Sequence, residues 1–228
     1  DKELSVKYAN NSVKQENDIE KYDGIWTDIW NDITGRENAD YDLNSFLYNY
    51  VVNFLNPSAT SNTILRQFES HNKTSKGQAV GDLIDDIRKQ ATAFVYLRNP
   101  KKHFGINLNL NFYLGTLKKM GSIKHAYVPI VAGYEKLWQN GTTKSKKKFE
   151  LLVQVITRYH VRNITLGNAE VKKIEMKMKE VMENIKKDKS VNEIIDDLVN
   201  DKEIHFPDST IKDKIDEQDW TSSVPVLI

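Results

Sequence analysis

The sequence predicts an all-α protein, an irregular bundle of about ten helices. Apolar residues recur at steps of three and four along most of the chain, which places them on one face of each helix. Strand signals are nearly absent, and the β-branched run VQVIT at 153–157 falls inside a helical stripe. Glycine, proline and asparagine separate the stripes at intervals typical of helices. No repeat of fixed period is apparent.

Four helices are predicted in the first part of the chain. The first, within NDIEKYDGIWTDIWNDITG, has Asn17 as its N-cap and Gly35 at its end. The second, DLNSFLYNYVVNFLNP, is stopped by Pro57. The third covers SNTILRQFESHN, and the fourth runs from about Gln78 to Arg98.

Six further helices are predicted in the rest of the chain. After LNLNFYLGTLKKMG comes HAYVPIVAGYEKLWQNG, with Pro129 either at its first turn or at a kink. Asn140-Gly141 is a turn before the next helix, TTKSKKKFELLVQVITRYHVRNIT. SVNEIIDDLVN begins with a capping box, Ser190 and Glu193. The other two helices lie in NAEVKKIEMKMKEVMENIKKDKS and PDSTIKDKIDEQDW.

A single helical domain over residues 1–228 is predicted. Basic residues become frequent after Asn99-Pro100, which leaves open a division into two packed halves, 1–100 and 101–228. No apolar run approaches the roughly 18–20 residues that span a bilayer, there is no signal-peptide pattern, and the chain has no cysteine. We therefore expect a cytoplasmic protein without a membrane partner. Because the first residue is Asp rather than Met, we also expect a fragment of a longer protein.

The charges of the chain are unevenly distributed. Residues 1–100 carry 11 basic and 15 acidic side chains, a net charge of −4. Residues 101–190 carry 19 basic and 7 acidic side chains (+12), and residues 191–228 carry 3 and 10 (−7). A basic middle between acidic ends indicates either an anionic partner or a charge match within the chain. The alternative is a solvated, lysine-rich helical surface.

Motifs that would identify an enzyme do not occur in the sequence. There is no Walker A, GxGxxG, HExxH, GxSxG or EF-hand pattern. The five histidines are scattered and have no partner four residues away, so no metal site is predicted. His205 is a candidate ligand or general base, although a helix-entry loop is the better interpretation. We predict no catalytic residue and no cofactor, and we leave open whether the chain is an enzyme.

The basic middle provides the candidate site. Its lysine run stands at the start of a helix, where positive charge opposes the helix dipole. The two arginines that follow are four residues apart and share a helical face, and a guanidinium can pair with a phosphate through two hydrogen bonds. The alternative is that the arginines bond acidic residues elsewhere in the fold. The predicted nucleic-acid contacts are Lys144, Lys146, Lys147, Lys148, Arg158 and Arg162.

Several segments occur in an order that resembles a known family. FLYNYVVNFLNP, ILRQFESHNK and DDIRKQATAFVYLRNP follow one another in the first half. LGTLKKMGSIKHAYVPIVAGYEKL, RYHVRNITLGN and VNEIIDDLVNDKEIHFPDSTIKDKI follow in the second. In this order they resemble the helical middle region of the GmrSD-type, modification-dependent (type IV) restriction enzymes. The resemblance runs from about residue 20 to residue 220.

Members of that family carry a ParB-like nucleotide-binding domain with a DGQQR motif, and many carry an HNH-type nuclease. This chain has no DGQQR, and HFP at His205 does not fit the nuclease pattern. Asn163 stands where the family has a second arginine, and no catalytic residue of the family carries over. The resemblance implies either a non-catalytic scaffold that joins the nucleotidase and nuclease modules of an NTP-dependent, phage-defence endonuclease or a stand-alone relative of that helical region. The uneven charge distribution adds the expectation that this region contacts DNA through its basic middle.

Two other interpretations stay open. In a protein-interaction or regulatory domain, the basic middle would pair with the acidic termini, and an apolar surface would face a partner. Trp220 and residues 224–228 are candidates for that surface. The other interpretation is a free-standing enzyme, although the sequence offers no convergent nucleophile, base or metal set.

Overall fold

The computed structural model describes residues 16–34, 39–74, 80–120, 124–167, 169–201 and 208–217. These residues form eleven α-helices and contain no strand, which confirms the predicted all-α fold. None of these helices is both long and apolar enough to cross a bilayer. The predictions for Gly35, His205, Trp220 and residues 224–228 lie outside the described residues. In chain order the helices are α1 (Glu16–Thr34), α2 (Ala39–Tyr50), α3 (Ile64–Thr74), α4 (Val80–Arg98), α5 (Pro100–Phe104), α6 (Leu108–Lys119), α7 (Lys124–Gly133), α8 (Thr143–His160), α9 (Val171–Lys186), α10 (Val191–Val199) and α11 (Asp208–Glu217).

Three of the helices continue into a π-helical segment. We name these segments π1 (Val51–Leu55, after α2), π2 (Tyr134–Gln139, after α7) and π3 (Val161–Leu166, after α8). In a π-helix the backbone hydrogen bonds span one residue more than in an α-helix, and such segments are frequent at functional sites. The sequence predicted uninterrupted α-helix at all three places.

Several helix ends were predicted from local chemistry, with mixed results. The capping box of α10 is confirmed, because the Ser190 side chain accepts from the Glu193 N–H and the Glu193 carboxylate accepts from the Ser190 N–H. Asn17, the predicted N-cap, lies inside α1. The predicted end of the fourth helix at Arg98 is confirmed, and Pro100 starts the short helix α5, because the first turn of a helix needs no N–H from proline. Pro129 lies inside α7.

The chain divides into two compact units, Asp1–Gly105 and Ile106–Ile228. In the first unit, α1 packs against α2 and α4, and α3 packs against π1. The aromatic ring of Tyr50 is central to its core, where it contacts Phe46, Phe54 and Phe68. The Tyr50 hydroxyl donates a hydrogen bond of 2.8 Å to Asp86 on α4, which satisfies the one polar atom of this side chain.

In the second unit, α7 is the central helix. Every residue of α7 from His125 onward is buried, and the helix packs against α9 and α8. α8 in turn packs against α6 and α10, while π3 contacts α11. Lys136 of π2 closes the far end of α9 by donating to the carbonyl oxygens of Ile185 and Lys186 at 2.9 and 3.0 Å. A cation is favourable at a helix C-terminus, so this contact fixes π2 against α9.

Candidate nucleic-acid interface

Helix α8 carries most of the predicted site, and the turn before it determines where the helix begins. The Thr142 side chain accepts a hydrogen bond from the Ser145 N–H and caps the first turn. Gly141 is required in this turn, because a Cβ atom there would stand 1.9 Å from the carbonyl oxygen of Leu137. The chain therefore turns sharply out of π2 and into α8.

The two sides of α8 differ in chemistry. Its inward side is apolar and buried, with Phe149, Leu152, Val153 and Ile156 inaccessible to solvent. Its exposed side is mainly basic, and its two ends are about 21 Å apart at a helical rise of about 1.5 Å per residue. We call this exposed set the outer face of α8; it consists of Lys144, Lys147, Lys148, Leu151 and Arg158.

Three of the four predicted lysines present their charge to solvent. In the part of the chain that the structure describes, no acidic side chain lies within ion-pair distance of Lys144, Lys147 or Lys148. Lys146 differs, because its ammonium group stands 5.3 Å from the centre of the Trp138 ring in a cation–π contact. Lys146 therefore packs on the surface of the unit itself.

Arg158 connects the outer face of α8 with the neighbouring helix α6. The hydroxyl of Tyr113 accepts hydrogen bonds from Gln154 at 2.8 Å and from Arg158 at 3.3 Å. The Arg158 guanidinium also lies 5.9 Å from the centre of the Tyr113 ring. Glu150 accepts a hydrogen bond of 2.8 Å from Asn107, the N-cap of α6. The carboxylate of α8 is thus turned toward α6, and the charges of the outer face are all basic.

Arg162 lies in π3 and has an acidic partner. Its guanidinium is 2.6 Å from the carboxylate of Asp208 at the start of α11. Farther along the chain, Lys177 lies 3.7 Å from Asp201 and Lys189 is paired with Asp197. The acidic C-terminal part therefore pairs with basic residues at 162–189. Arg158 and Arg162, which the sequence predicted as a pair, contact different helices.

An exposed apolar strip on α6 was missed from the sequence. Ile106, Leu108 and Phe112 are 96%, 80% and 52% exposed, whereas Leu110 and Leu114 are buried in the core. The signal was present in the segment LNLNFYL. Residues 108 and 112 form one apolar pair and residues 110 and 114 form another, and the two pairs lie on opposite sides of a helix. Only one pair can face the core.

A buried polar cluster lies at the other end of α8. His160 and Asn163 have no exposed surface, and His125 of α7 is close enough to His160 to affect its charge. Nδ1 of His160 is 2.9 Å from the carbonyl oxygen of Ile156, so this nitrogen carries the proton of the neutral ring. Among the described residues, no group hydrogen-bonds to Nε2 of His160 or to either amide atom of Asn163.

Both histidines of this cluster are neutral at pH 7. Burial lowers the pKa of His160 to about 4, against the raising effect of its bond to Ile156. Burial also lowers the pKa of His125 to about 4, although Glu175, 3.9 Å away, favours the charged form. Because His160 has no exposed surface, it does not contact a substrate in this structure. Its contribution is to the packing of α8 on α7.

The outer face of α8 is the candidate anion-binding surface of the second unit. Within the described ranges, no three His, Asp or Glu side chains are grouped so as to hold a metal ion. The outer face of α8 instead offers ammonium and guanidinium groups, which bind phosphates. No protein-family model, no curated protein and no solved structure matches this chain. The function therefore has to be inferred from this surface and from the sequence resemblance.

Proposed function

We propose that this chain is a non-catalytic helical module of a GmrSD-like restriction protein and that it contacts DNA phosphates through the outer face of α8. One observation carries the proposal: Lys144, Lys147 and Lys148 are exposed on one side of a helix without an acidic partner among the described residues. The ordered sequence segments support the family, in which such a module joins a nucleotidase and a nuclease. Arg158 extends the same surface.

The position of the lysines argues for a ligand rather than for a role in stability. Lys144 lies in the first turn of α8, where positive charge opposes the helix dipole. Ammonium groups without an acidic partner keep their hydration in the absence of a ligand, and a phosphate backbone supplies the missing negative charge. Binding would then release counterions from the nucleic acid, so the affinity would fall steeply with salt.

The salt dependence provides the test. Four phosphate contacts predict that log K falls with log salt concentration with a slope of about −3 to −4. Duplex DNA with a fluorescent label, titrated with the full chain at several salt concentrations, gives this slope from the anisotropy. The variant Lys147→Glu/Lys148→Glu should bind at least about ten-fold more weakly at low salt, and its slope should decrease by about 2.

A matched control separates position from net charge. Lys172 and Lys173 are exposed in the first turn of α9 and likewise have no acidic partner among the described residues. Lys172→Glu/Lys173→Glu changes the net charge by the same amount and should leave the slope close to that of the unmodified chain. Equal losses in both variants, or no binding of DNA at low salt, would remove the proposal.

A protein-interaction domain without nucleic-acid binding is the second candidate. It is favoured by the exposed apolar side chains of Ile106 and Leu108 and by the ion pairs that neutralise part of the basic segment. An apolar patch of this kind marks a contact surface. The sequence of the full gene distinguishes the two candidate functions. A DGQQR motif upstream of this chain supports the restriction protein, and a complete gene without that motif supports the protein-interaction domain.

A further inference from the structure

We infer that the surface formed by α6 and the outer face of α8 binds single-stranded nucleic acid, with an unpaired base stacked on the exposed ring of Phe112. This inference rests on the proposed function, because the lysines of α8 are the groups that would hold the backbone of the strand. It adds to that function a class of ligand and a residue that recognises it.

The environment of Phe112 is the first support. Its ring is 52% exposed, on the side of α6 opposite the buried Leu110 and Leu114. The ring is braced from one side, because it stands 5.2 Å from the ring of Tyr113 at an angle of 78°. Tyr113 is itself held by Gln154 and by Arg158. A rigid, exposed aromatic ring is the kind of platform on which bases stack.

The second support is the distance from this platform to the basic charges. α6 and α8 run parallel, since Asn107 contacts Glu150 and, one turn or more later in both helices, Tyr113 contacts Gln154. Lys148 and Gln154 are separated by about 9 Å along the helix axis. This distance corresponds to about three nucleotides at a stacked rise of about 3.4 Å. Packed helix axes lie about 8–10 Å apart, so a strand of about four or more nucleotides that contacts Lys148 is long enough to reach Phe112 on α6.

The chemistry of the platform selects an unpaired base. In a duplex, both faces of each base are covered by its neighbours, so a surface ring has no base to stack on. In a single strand, the base faces are accessible, and stacking tolerates any sequence. Phosphate contacts alone do not distinguish the two forms. The aromatic ring beside the lysines therefore predicts a preference for single strands over duplex.

The charges around Phe112 favour nucleic acid over a protein partner. The exposed charged groups of the adjoining face are Lys144, Lys147, Lys148 and Arg158, and they outnumber the one half-buried carboxylate nearby, Glu150, which accepts a hydrogen bond from Asn107. A purely apolar partner would have to cover these cations without neutralising them, which is costly. A polyanion with aromatic bases complements both the charges and the ring.

Three substitutions on α6 test the inference. The affinity of the full chain is measured by fluorescence anisotropy for a single-stranded oligonucleotide and for a duplex of the same length. Phe112→Leu keeps an apolar side chain but removes the aromatic face, and should weaken single-strand binding about ten-fold while leaving duplex binding unchanged. Phe112→Trp should restore or exceed the original affinity. Leu108→Ala, one turn away and exposed, is the control and should have no effect.

The outcomes separate the two proposals. If Phe112→Leu and Phe112→Trp bind the single strand equally well, the stacking inference is wrong, and the strip on α6 is better explained as a protein contact. If Phe112→Leu weakens both forms equally, the inference is also wrong. If the unmodified chain binds neither form at low salt, the proposed function itself fails. Both proposals are supported if Lys147→Glu/Lys148→Glu loses affinity for the single strand and for the duplex, and Phe112→Leu loses affinity for the single strand alone.

Discussion

The two ends of α8 carry similar residues and use them differently. At its start, Lys144, Lys147 and Lys148 are exposed, and no acidic group in the described structure lies close to them. At its end and just beyond, Arg158 contacts Tyr113, and Arg162 is paired with Asp208. A count of basic residues treats both ends as one patch. The lysines at the first end have no acidic partner among the described residues, whereas Arg158 and Arg162 at the second end contact other side chains.

The helix dipole explains part of this difference. Cations in the last turn are favourable, and cations in the first turn are not. Arg158 lies in the last turn of α8 and Lys144 in the first turn, whereas His160, also in the last turn, is neutral. The helix dipole therefore favours Arg158 and disfavours Lys144. Four predictions, one of them a pH series, test this division.

The largest expected effect is a loss of stability at low pH, caused by the buried histidines of α7 and of the C-terminal end of α8. Burial holds the pKa of His125 and of His160 near 4, below the ordinary value of 6.5. Between these values the unfolded chain binds more protons than the folded chain, so the free energy of unfolding decreases as the pH falls from about 6.5 to 4. At about 1.4 kcal/mol per pKa unit, the loss is on the order of 3 kcal/mol for each histidine.

Urea unfolding followed by circular dichroism at several pH values measures this loss. Carboxylates also titrate in the same range, so the comparison is made with His160→Gln, whose neutral amide can still donate to the carbonyl of Ile156. The variant should lose clearly less stability between pH 6.5 and 4 than the unmodified chain. Parallel curves for the two proteins would show that His160 is not buried in its neutral form.

The next largest effect on stability concerns the turn at Gly141, which precedes the lysine-rich start of α8. In Gly141→Ala, the added Cβ would stand 1.9 Å from the carbonyl oxygen of Leu137, so the backbone between π2 and α8 must move. We expect a loss of about 1–3 kcal/mol in the free energy of unfolding. Gly115→Ala in α6 is the matched control, since no atom lies within 4 Å of its added Cβ. It should gain up to about 1 kcal/mol from helix propensity.

These two glycines also illustrate what the sequence could predict. Asn140-Gly141 was correctly expected to be a turn, because the dipeptide itself favours one. The close approach to Leu137 that makes the glycine necessary depends on π2, and a π-helical segment leaves no clear mark on a three-and-four pattern of apolar residues. The helices follow from local periodicity, whereas their π-helical ends do not.

The candidate site could likewise be predicted only in part from the sequence. The lysine run was visible in the sequence, and its exposure follows from its position opposite the apolar stripe of α8. The partner of Arg162 was not predictable, because Asp208 is distant in sequence and reaches Arg162 only through the contact of α11 with π3. Phe112 could have been found, since LNLNFYL has two apolar pairs on opposite sides of one helix.

A smaller effect on stability is expected from the ion pair between Arg162 and Asp208, which lies beyond the C-terminal end of α8. Arg162 and Asp208 are 2.6 Å apart, but the Asp208 side chain is almost fully exposed to solvent. Solvent screens such a pair, so its coupling energy should be about 0.2–1 kcal/mol. A double-mutant cycle with Arg162→Ala and Asp208→Ala, followed by urea unfolding, isolates this term. A coupling near zero would mean that this ion pair does not stabilise the unit.

The smallest effect on stability is expected at the lysine end, and it is the most informative one. Lys147 and Lys148 have no acidic partner among the described residues and lie near the start of α8. Their replacement by alanine should therefore change the free energy of unfolding by no more than about 0.5 kcal/mol. The same variant should lose DNA affinity, since its two phosphate contacts are gone. A clear loss of stability without a loss of affinity would show that these lysines serve the fold, and the two ends of α8 would then be alike.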